Sequence, residues 1–67
     1  MKISEMNRQL EHWRNDAKKA HGYTDAQLAK LIGYSESALA HKASEGTLYR
    51  MPFYKAMRLK ELATKEG

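Results

Sequence analysis

An all-α domain of four unequal helices is what this sequence predicts, and three observations predict it. Its one proline, Pro52, and its four glycines, Gly22, Gly33, Gly46 and Gly67, cut the 67 residues into segments of helical composition. Apolar residues recur there at threes and fours rather than in the alternation of strands. The longest such stripe is sustained for roughly five helical turns. No repeat, low-complexity stretch or linker divides the chain, so residues 1–67 are expected to form one domain. The helices are predicted at about 4–20, 25–32, 36–43 and 52–65.

The first helix rests on Ile3, Met6, Leu10, Trp13, Ala17 and Ala20, spaced by 3, 4, 3, 4 and 3 residues. Ser4 is expected to cap its N-terminus, Lys18 and Lys19 suit its C-terminal dipole, and Gly22 suits a left-handed stop. Trp13 is expected to be the central core aromatic. The second helix opens with "TDAQ", in which Thr24 and Gln27 have the spacing of a capping box and Asp25 meets the N-terminal dipole. Leu28, Leu31 and Ile32 give it an apolar face, and Gly33 ends it. Ser35 is placed to cap the third helix, Glu36 to Ala43, before Gly46. The fourth begins near Met51-Pro52, proline being acceptable in a first turn, and carries Phe53, Ala56, Met57, Leu59, Leu62 and Ala63.

The two short helices and their tight turn have the parts of a helix-turn-helix. A small residue, Ala29, stands where the second helix must cross closely over the first. Gly33 follows four residues later to turn left-handed, and Leu28, Ile32, Tyr34 and Leu39 are placed to lock the angle. Residues 24–46, "TDAQLAKLIGYSESALAHKASEG", resemble the helix-turn-helix of Cro/CI-type phage repressors and their bacterial relatives. "TLYRMPF" sits where that family carries a basic, proline-containing loop, so the resemblance extends over about residues 5–65. The tail "RMPFYKAMRLKELA" is also similar, on a looser pattern, to the small autorepressors encoded beside anti-CRISPR genes.

The resemblance implies a sequence-specific DNA-binding regulator, a phage-type repressor acting as a dimer on a palindromic operator. It implies base contacts from Glu36, Ser37, Ala40 and His41, since the family reads the major groove from this part of the recognition helix. The chemistry is usable: Glu36 can accept from a cytosine amino group, Ser37 can donate or accept, Ala38 or Ala40 can pack on a thymine methyl, and His41 can donate to guanine N7. Phosphate contacts are implied for Thr24, Gln27, Ser35, Lys42, Tyr49 and Arg50. Two positions depart from the family's pattern. Asp25 replaces the usual glutamine and would repel a phosphate, and Lys42 replaces a large buried apolar residue, with a stem that can cover the core.

Charge and composition narrow the classes. Twelve Lys and Arg against eight Asp and Glu give +4, with a pI of about 9.5, which suits a polyanionic partner. Residues 1–22 carry five basic and three acidic side chains, residues 23–46 two and three, and residues 47–67 five and two. The basic flanks, including Arg14, Lys18, Arg50 and Lys55, are therefore expected to supply the phosphate attraction. There is no cysteine. His12, His21 and His41 lie on different segments, so no metal or other cofactor is expected. With so little room for a cleft, neither enzyme activity nor a small-molecule substrate is expected. No apolar run approaches the ~18 residues of a membrane span, and a cytoplasmic protein of a bacterial host or its phage is expected.

"LYRMPFYKAM" holds more apolar residues than so small a core can absorb. Leu48, Met51, Phe53 and Tyr54 are therefore expected to form a two-fold dimer contact. The alternative function is a helical protein-interaction module, such as an antirepressor, antitoxin or host-protein inhibitor, on the same fold. RNA binding is a weaker third reading, since no platform of solvent-facing aromatics is apparent.

Overall fold

A computed structural model describes residues 2–64. It is all-helical, with α1 at Ile3–His21, α2 at Asp25–Ile32, α3 at Glu36–Glu45 and α4 at Phe53–Ala63. A single 3₁₀ turn, Leu48–Arg50, joins α3 to α4. The predicted end of the last helix at 65 lies outside the described residues; as described, α4 stops at Ala63, and the Thr64 hydroxyl donates to the carbonyls of Lys60 and Glu61.

The long helices α1 and α4 pack along one another, α2 crosses to α3, and the 3₁₀ turn is held beneath α1. The core between them is built of Leu10, Ala17, Leu28, Ala29, Ile32, Leu39, Leu48, Met51, Leu59 and Leu62. Its fully buried large side chains are leucines from α2, α3, the turn and α4. Trp13 is therefore not the centre of the core. It is half-buried at the margin, packed against that cluster, with the Lys60 ammonium 5.9 Å from its ring. A domain this thin, 28 × 23 × 19 Å, encloses leucines more readily than an indole.

Helix starts follow local chemistry with one exception. The Thr24 capping box is present in full, and the Ser35 hydroxyl accepts from the Ala38 N–H at 3.2 Å. Ser4, by contrast, does not cap α1. The chain becomes helical earlier, with extended Lys2 at the N-cap and its carbonyl accepting from the Glu5 and Met6 amides. Ile3 then overhangs the core and is 54% exposed. Pro52 stands at the N-cap of α4, just outside the helix, with its carbonyl accepting from Lys55 and Ala56.

Candidate nucleic-acid interface

The angle between α2 and α3 is set by a few contacts. Ala29 is fully buried, as a close crossing requires, and its carbonyl accepts from the Tyr34 N–H at 2.8 Å. That bond closes a Schellman-type stop, which needs the residue between to turn left-handed. Gly33 does so, at φ +90°. The freed Gly33 carbonyl accepts from the Lys55 ammonium of α4 at 3.1 Å, and that ammonium lies 3.9 Å from the centroid of the Tyr34 ring. Both interactions favour a cation: the helix C-terminus is the negative end of its dipole, and the aromatic face attracts positive charge. Lys55 thereby staples the turn to α4. Its ammonium thus already has two partners within the fold, with which a phosphate would have to compete.

Once the turn is fixed, α3 presents a face to solvent. At about 100° per residue, Glu36, Ala40, Ser37 and His41 fall within one arc of ~140°, on the side away from buried Leu39. All four are exposed, as is Ser44 in the same arc. Among the described residues the one ionic contact on this face is His41 Nε2 to Glu45 Oε1 at 3.3 Å, between exposed side chains one turn apart. The α3 face is thus polar and open. Lys42 lies on the opposite side of the helix, half-buried, with its ammonium 5.5 Å from the centroid of the Tyr34 ring.

The candidate phosphate groups divide by how they are used. Thr24 Oγ1 accepts from the Gln27 N–H at 3.2 Å, and Gln27 Oε1 accepts from the Thr24 N–H at 2.9 Å. These bonds occupy acceptors only. The Thr24 hydroxyl hydrogen and the Gln27 amide hydrogens are still able to donate outward, while Ser35 Oγ lies 3.5 Å from Ser37 Oγ and shares one hydrogen bond with it. Tyr49 is half-buried and Arg50 is exposed, its Nε donating to Tyr49 Oη at 3.2 Å. That bond, reinforced by charge interaction with the Tyr49 phenol and Glu45, raises the Arg50 pKa above its ordinary value, and the guanidinium carbon lies 5.7 Å from the Tyr49 ring centroid.

Asp25 does not stand as an open negative charge at the mouth of α2. Lys18 Nζ reaches one of its oxygens at 2.7 Å and Arg14 approaches at 3.5 Å. The Lys18 hydrogen bond, reinforced by the charges of Lys18 and Arg14, holds the carboxyl below its usual range although burial opposes this. Arg14 also pairs with Glu11 at 2.6 Å. Two more cations expected to serve phosphate are therefore engaged in tying α1 to α2.

The proposed dimer residues separate sharply. Leu48 and Met51 are buried in the core and unavailable to a second copy, which corrects that part of the expectation. The 3₁₀ turn, not foreseen in the sequence, swings both inward. Phe53 and Tyr54 behave oppositely, at 79% and 69% exposed, with Met57 beside them on α4. Phe53 borders an apolar cleft of about 380 Å³ whose walls include Met6, Trp13, Tyr49 and Met51.

One residue that the sequence did not mark is Asn7 of α1. Its side chain donates to the Gly46 carbonyl and accepts from the Tyr49 N–H. In the sequence its one mark is its place directly after Met6 of the apolar stripe; its half-burial and its two partners come from the fold. Among the described residues no helix is long and apolar enough to cross a membrane, and no three His, Cys, Asp or Glu side chains are gathered to hold a metal ion. Comparison with protein-family models, with curated proteins and with solved structures finds no match to this chain.

Proposed function

We propose that this chain is a sequence-specific DNA-binding transcriptional regulator of the Cro/CI-type helix-turn-helix class, acting as a dimer on a palindromic operator. The observation that carries the reading is the open face of α3. Glu36, Ser37, Ala40 and His41 are all exposed on one arc of a helix whose other side is locked to α2 and the core. Ten residues of α-helix span about 15 Å, which suits insertion in a major groove. Arg50 at one end and the donors of Thr24, Gln27 and Ser35 around the turn supply phosphate contacts. Repression on this reading is steric: bound protein occupies DNA that polymerase needs. The dimer contact falls to Phe53 and Tyr54, and half-sites lie about one helical turn, ~34 Å, apart.

The test is a mobility shift with the DNA upstream of the protein's own gene against a scrambled duplex, titrated across salt. Selective retardation, lost in S37A/H41A with the fold intact by circular dichroism, supports the reading. Equal, weak binding to both duplexes refutes it. A second reading, a helical protein-interaction module, is favoured by the exposure of Phe53 and Tyr54. It predicts that F53A/Y54A abolishes function in cells whereas S37A/H41A leaves it unchanged.

A further inference from the structure

Asn7 has no part in the reading just given, yet its side chain reaches across the fold to the segment that reading depends on. Its Nδ2 donates to the Gly46 carbonyl, at the left-handed stop of α3. Its Oδ1 accepts from the Tyr49 N–H at 2.9 Å. Within the 3₁₀ turn, the Arg50 and Met51 amides bond to the carbonyls of Thr47 and Leu48, which leaves the Tyr49 amide to be satisfied from outside. A carboxamide offers one donor edge and one acceptor edge in a fixed plane. One side chain of α1 thus holds the end of α3 and the start of the turn at a set separation.

The chain of bonds continues outward. Tyr49, held by its backbone, accepts through Oη from Arg50 Nε at 3.2 Å, and the guanidinium carbon lies 5.7 Å from the Tyr49 ring centroid. We infer that Asn7 is a positioning residue: by holding Gly46 and Tyr49 with one carboxamide, it sets where the Arg50 guanidinium stands relative to the α3 face. The inference rests on the DNA-binding reading for its functional consequence, but its structural content is independent of DNA.

Both parts can be read with the full-length chain. Amide hydrogen exchange of free N7A should accelerate at Tyr49 by about tenfold or more, while the core amides of Leu28 and Leu59 exchange as in the wild type. An unchanged Tyr49 amide overturns the inference. On operator DNA, N7A should bind about tenfold more weakly and with a shallower salt dependence. The double variant N7A/R50A should bind no more weakly than R50A, because both changes remove one contact; losses that multiply overturn the inference. If the wild type shows no selective binding, the DNA reading fails and the exchange experiment alone decides the clamp. Should N7A not fold, N7S, polar but too short to bridge Gly46 and Tyr49, must likewise speed exchange at the Tyr49 amide; slow exchange there overturns the inference.

Discussion

Replacing Gly33 by alanine tests how the turn between α2 and α3 is built, because two separable costs meet there. At φ +90° an L-residue is strained, at about 1–2 kcal/mol. The added methyl would also stand 3.2 Å from Cε of Lys55, so that side chain must retreat. Retreat loosens its hydrogen bond to the Gly33 carbonyl, a contact of about 0.5–1.5 kcal/mol net. The sum is about 2–3 kcal/mol. Gly22 supplies the control: it turns left-handed at φ +71°, but a methyl there meets nothing within 4 Å. G22A should therefore cost about 1 kcal/mol, the strain alone. For a domain of this size each kcal/mol moves the melting temperature by about 4–8 °C. Thermal melts by circular dichroism should place G33A about 10–20 °C below the wild type and G22A about 5–10 °C below. In a K55A background the extra loss at Gly33 should disappear. Equal losses for the two glycines, or an undiminished Gly33 penalty without Lys55, would refute the stapled turn.

Other consequences are simpler to state. The Asp25 carboxyl titrates below its ordinary range, so the stability it contributes is present above about pH 4 and is lost as pH falls through the lowered folded value. Its side chain is 46% exposed, so D25N should cost at most ~1 kcal/mol at pH 7 by urea unfolding, shrinking to nothing near pH 2. A gap that widens on acidification would contradict the pairing with Lys18. L59A, which empties a fully buried site, should destabilise by about 2–5 kcal/mol. F53A and Y54A, at exposed positions, should stay within about 0.5 kcal/mol in dilute solution, as read by urea unfolding. R50A should lower the salt slope of operator binding by about one phosphate contact, uniformly across sequences.

What was legible in the sequence was local. The capping box at Thr24, the stops at Gly22, Gly33 and Gly46, and the small residue at position 29 each declare themselves within a few residues, and the helices start and end close to where these signals put them. What was not legible depends on partners far along the chain. Asn7 meets Gly46 and Tyr49 at separations of 39 and 42 residues, and Lys55 meets Gly33 at 22. No periodicity announces such pairs. Trp13 was misjudged because a stripe says which face turns inward but not which of its residues lies deepest, and Leu48 because the 3₁₀ turn was not foreseen. The 3₁₀ turn buries Leu48 and Met51, and that leaves the aromatics following Pro52 outside.

Part of the basic charge is used inside the fold, although the net +4 already subtracts every carboxylate. Arg14 and Lys18 are held by carboxylates between α1 and α2, Lys55 by the Gly33 carbonyl and the Tyr34 ring, and Arg58 lies 3.6 Å from Glu61. Four of the twelve basic side chains thus also fasten the fold, while others, among them Lys2, Arg8, Lys19 and Lys30, are exposed and outside these contacts. On the DNA-binding reading proposed above, one protomer reaches only one half-site, with the affinity of a single module. Two tethered half-sites multiply such affinities, so pairing becomes a requirement of function rather than an embellishment. The exposed aromatics suit that need in a particular way. Large aromatic side chains bury about 150–250 Å² each. Phe53 and Tyr54 from two copies therefore fall short of the ~1,200 Å² of a stable interface. A contact of that size holds weakly in free solution and is completed when adjacent half-sites bring two copies together. Regulation would then be set by operator spacing as much as by base contacts, because each half-site contact is strengthened where its partner is already bound.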